Sequence, residues 1–329
     1  MRKSTLFVIF VVGAFVLSIS AAPALAKTRA TWPDKWWPSK WGPGDEKGAF
    51  NLITPAKVRS AIKLVTKGKI YRTGMTYEPG MPLFGKRTYA LHIPGLPLGG
   101  PLGPHQIVWN DEFICGELGQ IGTQFDGPGH VGIRCKDGVD RWYNGAELAT
   151  GEHVYGFKVN GVEKLGPCVT RGVLIDMVAL KGRGMNKAEV IYPKDIEACI
   201  KKAGIAPIGE GDCVIFNTGW GRYWGDPATF NSGCPGIGVD AAEYLIAKNV
   251  SMLCSDTWPI EAVPAEEADR PFQVHCLMQP VNGIWFLENL STKVLSQMAK
   301  DGVYEFLWIY IPVQFGGATG SPGEGIAIR

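Results

Sequence analysis

The sequence predicts an α/β fold, and three observations carry that expectation. Fully apolar runs of strand length, at Arg171 to Met177, Cys213 to Asn217 and Ser251 to Ser255, mark buried strands. Between and after them lie runs of helix length, at Pro193 to Ala203, Asp240 to Asn249 and Ser291 to Lys300. Strands alternating with helices give an α/β architecture. Finally, no repeat, linker or low-complexity segment divides the chain, so residues 54–329 are expected to form one domain.

Residues 1–26 are set apart from that domain. Arg2 and Lys3 open the chain, Leu6 to Leu17 is apolar, and Ala24-Leu25-Ala26 offers a small-residue cleavage site. This is the pattern of a secretory signal peptide, which places the mature protein in the periplasm or outside the cell. The apolar core is shorter than the ~20 residues a membrane anchor needs. Removal of Arg2 and Lys3 leaves 31 basic residues against 31 acidic ones. A neutral chain without a basic face excludes nucleic acid as the expected partner, and no later run is apolar enough to span a membrane. Eight cysteines without a CxxC pair exclude a zinc ribbon or a thioredoxin-like motif. Cys213 and Cys254 lie in apolar strands, so mostly free thiols are expected, with at most a bridge or two.

Residues 27–53 carry Trp32, Trp36, Trp37 and Trp41 among prolines and glycines and read as an irregular arm packed on the body or on a neighbouring subunit. Thr54-Pro55 starts a helix with Val58, Ile62 and Val65 on one stripe, and Gly68 ends it. Ile70 to Thr76 reads as a strand. The Gly/Pro-rich residues 79–104 read as a long loop of the kind that shapes a substrate entrance, with His92 and His105 at the surface. Gln106 to Leu118 is strand-like, and a further strand is expected over Val154 to Val159, beside His153. The last strand is expected over Tyr304 to Pro312. Asp176 and Asp256 end buried strands, where structural roles compete with roles in a cleft.

The chemistry concentrates in QIGTQFDGPGH, residues 120–130. In an extended segment Gln120, Gln124 and Asp126 share one face. A straight strand would hold Gln120 and Asp126 about 20 Å apart, too far to share an ion. Gly119, Gly122, Gly127 and Gly129 are where the backbone can bend to gather them with His130. A second segment, residues 271–290, sets His275 and Glu288 in apolar surroundings, where a charged Glu needs a cation or hydrogen-bond donors. Taken alone, Glu288 could cap the helix that follows and His275 could be a core histidine. No GxxxxGK[ST] phosphate loop and no GxSxG nucleophile elbow occurs.

At this point the chain resembles the cyclase family of metal-dependent hydrolases, which includes kynurenine formamidases and isatin hydrolases. The resemblance runs through WGPGDEKGAFNLITP, RGVLIDM, GDCVIFNTGW, PGIGVDAAEYLIAKNV, SDTWP, the His275 to Asn289 segment and GGATGSPGEGIAI. It implies a swivelling β/α/β-type single domain with a mixed sheet and surrounding helices. It also implies a homodimer or homotetramer acting on a small-molecule substrate. The family signature HxGTHxDxPxH aligns with Gln120, Gly122, Thr123, Gln124, Asp126, Pro128 and His130. By that resemblance Asp126, His130 and Glu288 are metal ligands and His275 is the catalytic acid/base. Both leading histidines are replaced, by Gln120 and Gln124.

A carboxamide oxygen is a weaker and harder donor than imidazole, so one divalent ion is expected, manganese or zinc, with magnesium the third candidate. Gln120 and Gln124 then ligate through oxygen, hydrogen-bond water, or donate to an oxyanion. The expected activity is kynurenine formamidase-like hydrolysis of a small cyclic or aryl amide or lactone, with His275 moving the proton. Two other readings stay open: a ligand-binding protein of the same fold without turnover, and a metal-dependent cyclase or lyase.

Overall fold

The computed structural model describes residues 33–117, 119 and 121–329. The expected leader, Trp32 and Gln120 lie outside the described residues. A nine-stranded sheet forms the centre, built from β1 (Ile70–Arg72), β2 (Gln124–Asp126), β3 (Cys168–Asp176), β4 (Cys213–Asn217), β5 (Met252–Ser255), β6 (Trp285–Glu288), β7 (Glu305–Tyr310), β8 (Gly320–Pro322) and β9 (Ile326–Ile328). Their order across the sheet is β1-β9-β7-β3-β4-β5-β6-β2-β8. Strands β3 to β6 run parallel, whereas β7 and β2 join their two sides antiparallel. The sheet is therefore mixed, in a single-domain α/β fold.

Side chains along each strand alternate between two cores. Val173, Ile175, Val214, Phe216, Leu253 and Phe286 face one; Leu174, Ile215, Met252, Cys254, Trp285 and Leu287 face the other. Burial on both faces is why these strands read as continuous apolar runs rather than as alternating ones. The helices Pro193–Ala203 and Val239–Ala247 cover the first face through Ile196, Ile200, Ala241 and Leu245. The helix Thr292–Lys300 covers the second through Leu295 and Met298. Each fully buried side chain of this size contributes roughly 1.5–3 kcal/mol. The first helix spans Pro55–Ile62, and the Thr54 hydroxyl accepts from the Lys57 amide at 3.2 Å.

Three expectations change. Residues 79–104 are not one loop: Tyr89–His92 pairs with Phe113–Gly116 and Gly99–Leu102 pairs with Ile107–Trp109, forming an arm. Its Gly and Pro content masks the strands. The expected strand over 154–159 is turn and bend, with His153 buried at the end of a short 3₁₀ turn. Its Nδ1 accepts from the Lys158 amide at 3.2 Å, a local bond that a strand there would not make. The strand from Ile70 stops at Arg72, because Thr73 turns its hydroxyl onto the Gly325 carbonyl. The eight cysteines are free, although the sulfurs of Cys213 and Cys254 lie 3.5 Å apart on neighbouring strands. The tryptophan-rich arm packs on the body: Trp36 is buried and donates to the Trp142 carbonyl at 3.4 Å.

Asp256, just beyond β5, is wholly buried and accepts from the Thr218 and Gly219 amides at 2.9 Å, from the Thr218 hydroxyl at 2.6 Å and from the Thr292 hydroxyl. It ties the turn after β4 to the start of the Thr292–Lys300 helix. Asp176 similarly accepts from Ala179 and Asn217. Both act as structural anchors. Asp256→Ala strands two buried amides, each worth about 1–3 kcal/mol, so a loss on the order of 3 kcal/mol is expected. Denaturant unfolding measures it, and an unchanged midpoint would contradict the anchoring role.

Candidate metal centre

The centre forms where the register of β2 on β6 brings the side chains of two strands together on one face, near one edge of the sheet. Gln124 pairs with Glu288, and Asp126 pairs with Phe286. Paired residues in an antiparallel ladder point to the same face, and residues two apart share a face. Gln124, Asp126, Phe286 and Glu288 therefore all face the same side. Upstream, Gly122 takes φ +59°, and a Cβ there would meet the Tyr77 ring at 2.6 Å. Glycine is what allows the chain to turn into β2 at that point.

The third contributor is the segment after β5. Glu261 and Phe272 lead into a short helix, Gln273–Cys276, which continues as a π-helical turn over Leu277–Val281. Phe272 sits in the left-handed region, with φ 56° and ψ 32°. This helix carries His275 over the edge of the Phe286 ring, with centroids 4.9 Å apart. The His275 Nε2 lies 3.7 Å from Asp126 Oδ2 and 3.5 Å from Glu288 Oε1. Asp126, His275 and Glu288 are all buried, and their ligating atoms lie within 4.8 Å of one another.

Around this triad the polar contacts are specific. Glu288 accepts from the Ile260 amide on Oε1 and from Gln124 Nε2 on Oε2, both at 2.9 Å. The Gln124 amide must present nitrogen there, because the flipped form would set two oxygens face to face. Gln279 Nε2 stands 3.5 Å from Asp126 Oδ2, and its buried Oε1 finds no hydrogen-bond partner among the described residues. His130, half-buried, places Nε2 3.6 Å from the same Asp126 oxygen. His275 Nδ1 lies 2.6 Å from Glu261 Oε1.

Charge balance favours a cation. Burial first, and then the charge of Asp126, push the Glu288 carboxyl up, against the opposing pull of His275 and Gln124. Burial would push the His275 imidazole down, but Asp126, Glu261 and Glu288 outweigh it and hold it well above its usual value. The atoms crowded round the His130 ring push that imidazole down, only partly opposed by Asp126. Three buried acids thus surround one imidazole. Ligands about 2.1 Å from a tetrahedral ion stand about 3.4 Å apart, close to the spacings at His275. Two carboxylates and one imidazole suit zinc or manganese. The residues fit a divalent ion.

The triad differs from the expected ligand set in one member. Asp126 and Glu288 come together as expected, but the histidine between them is His275, while His130 stands at the side of Asp126. The physical cause is Glu261, which fixes one ring nitrogen of His275 and leaves the other facing the two carboxylates. Sequence reading missed Glu261 and Gln279. PIEAVP resembles a surface loop, and Gln279 lies in an apolar run where nothing marks one polar residue as special. Gln124 stands at the site, and Gln120 lies outside the described residues.

A cavity of about 370 Å³ opens over the triad, lined by Gln124, Asp126, His130, His275 and Glu288 on its floor. Phe84, Phe230, Trp258 and Phe272 form apolar walls, and Arg87 is also in the lining. Phe84 stacks on Trp258 with centroids 4.2 Å apart and planes 20° apart. The volume falls in the range of small-molecule sites. Pro82, Phe84 and Arg87, from the stretch expected to shape an entrance, line it.

Comparison with known proteins follows this geometry. A search of curated proteins gives no match. Among solved structures, one described as a novel cyclase is 27% identical, with a TM-score of 0.77, over 88% of this chain and 98% of its own. Isatin hydrolase A from Ralstonia solanacearum is 21% identical, with a TM-score of 0.59, over 84% and 98%. An isatin hydrolase bound to the product analogue thioisatinate is 21% identical, with a TM-score of 0.57, over 83% and 98%. At that identity the two hydrolases establish a shared fold. The family model named Cyclase matches residues 71–262, more than half of the chain. This protein belongs to the cyclase family.

Proposed function

We propose that this protein is a metal-dependent hydrolase of a small cyclic or aryl amide or lactone. The observation that carries the reading is the buried triad of Asp126, His275 and Glu288 at the floor of an aromatic-walled cavity. A divalent ion held there supplies Lewis acidity towards a carbonyl and makes water more acidic. The isatin hydrolases that share the fold act on a cyclic aryl amide, which suits the stacked Phe84 and Trp258.

Two histidines divide the work. His275, clamped through Nδ1, is the ligand rather than the proton carrier, which exchanges the roles the family resemblance implies for it and for His130. His130 reaches the cavity, and its lowered pKa leaves it neutral near pH 7 and able to accept a proton. It takes a proton from the attacking water and returns it to the leaving nitrogen or oxygen as the C–N or C–O bond breaks. Gln124 holds Glu288 in place through its amide nitrogen and lines the cavity beside it.

The test pairs metal analysis with turnover of isatin, N-formylkynurenine and small lactones in the presence of manganese or zinc. Asp126→Ala and His275→Ala are expected to lose both bound ion and activity. His130→Gln should keep the ion while kcat falls by roughly 10²–10⁴-fold. Loss of the ion in His130→Gln with retention in His275→Ala would restore the roles implied by resemblance. A wild-type protein that binds neither ion and turns over none of these compounds would leave a ligand-binding protein.

The arm gives the expected homo-oligomer a place, and we propose it as the contact between copies. Leu91, Leu96, Leu102, Ile107, Trp109 and Phe113 stand exposed on it, Leu96 at 82%. No Lys or Arg occurs between Thr88 and Ile133 to repel a second copy. A standard interface takes ~800 Å² from each partner. Sedimentation at tens of micromolar should show a dimer or larger, and Leu96→Glu with Trp109→Glu should dissociate it. A wild-type monomer, or an oligomer untouched by both changes, would overturn this.

A further inference from the structure

We propose that Glu261 is the positioning residue of the metal centre, holding His275 in the one tautomer and ring orientation that presents Nε2 to an ion. This deepens the reading of His275 as a ligand and rests on it. Glu261 is 3% exposed and makes three bonds to a single short segment. Its Oε2 accepts from the Val274 amide at 3.3 Å, and its Oε1 accepts from the His275 amide at 2.9 Å. The same Oε1 lies 2.6 Å from His275 Nδ1. A carboxylate already accepting two amides cannot donate, so Nδ1 must carry the proton. Nε2 is then the ring atom left to face Asp126 and Glu288, at 3.7 and 3.5 Å. A carboxylate on the far nitrogen of a metal-binding histidine fixes its tautomer and strengthens it as a ligand.

The backbone on both sides is shaped for this contact. Phe272 turns through the left-handed region, φ 56°, which aims the Val274 and His275 amides back at Glu261. A phenylalanine there is strained, and such strain persists only where neighbours enforce it. On the other side Gly236 packs directly behind Glu261. A Cβ on Gly236 would meet the Glu261 carbonyl carbon at 2.3 Å and the Ala262 nitrogen at 2.6 Å. Gly236 is not in the left-handed region, so substitution there acts by displacement alone.

The experiment follows His275 directly and through the ion. By proton–nitrogen NMR of the metal-free protein, a downfield, exchange-protected Nδ1–H of His275 is expected in the wild type and in Glu261→Gln, whose amide oxygen still accepts. It should be lost in Glu261→Ala. Calorimetry with zinc or manganese alone should show affinity falling about 10–100-fold in Glu261→Ala, and by a smaller factor in Glu261→Gln. Gly236→Ala, which leaves every polar side chain in place, should weaken the ion by pushing the Glu261 backbone away; this variant decides the matter if Glu261→Ala does not fold. Wild-type affinity in Gly236→Ala and in a folded Glu261→Ala would overturn the proposal. If the wild type binds no ion, the metal reading fails, while the Nδ1–H signal still reports whether Glu261 positions the ring.

Discussion

The centre depends on one pairing, that of β2 on β6. Because Gln124 lies opposite Glu288 and Asp126 opposite Phe286, two acids, a carboxamide and an aromatic ring are delivered to one face by backbone hydrogen bonds alone. A slip of β2 by one residue would turn Gln124 and Asp126 into the opposite core, among Trp285 and Leu287, and away from Glu288. That penalty is large enough to fix the register. The Gly320 to Pro322 strand on the outer side of β2 holds it from the other edge, with Gly320 facing Asp126.

Once the register is set, electrostatics governs what the site accepts. Asp126, Glu261 and Glu288 are each nearly inaccessible to water, and buried carboxylates persist only with a cation or with donors. Glu261 has its donors in two amides and an imidazole. Glu288 has an amide on one oxygen and Gln124 on the other. Asp126 stands 3.5 to 3.7 Å from Gln279, His130 and His275. Asp126 thus lies between the two histidines, with Glu288 on the far side of His275.

Much of the fold was legible because its signals are local. The helices at 193–203, 239–247 and 292–300 and the strands at 168–176, 213–217 and 252–255 carry their apolar pattern within their own residues. In the arm, Ile107–Trp109 and Phe113–Gly116 lie within the strand-like 106–118, but their partners were not legible, since Gly99, Pro101 and Leu102 look like loop until paired with 107–109. At the site, Asp126 and Glu288 announced themselves as acids in apolar or glycine-rich settings. Glu261 did not, because its role exists only through a contact with His275, fourteen residues away in sequence. Which histidine comes to stand between Asp126 and Glu288 was hidden for the same reason, since it depends on what holds the ring's second nitrogen and no spacing reveals that.

Gln124 shows what a carboxamide does at a site built of buried acids. An imidazole at this position could bind an ion through a ring nitrogen. The carboxamide instead turns its nitrogen to Glu288 at 2.9 Å and satisfies that acid without adding charge. One oxygen of Glu288 is then committed to the protein, while Oε1 still faces His275. Any ion is directed to the side of Glu288 shared with His275 and Asp126. The carboxamide thus leaves Glu288 one oxygen held by Gln124 and one turned to His275.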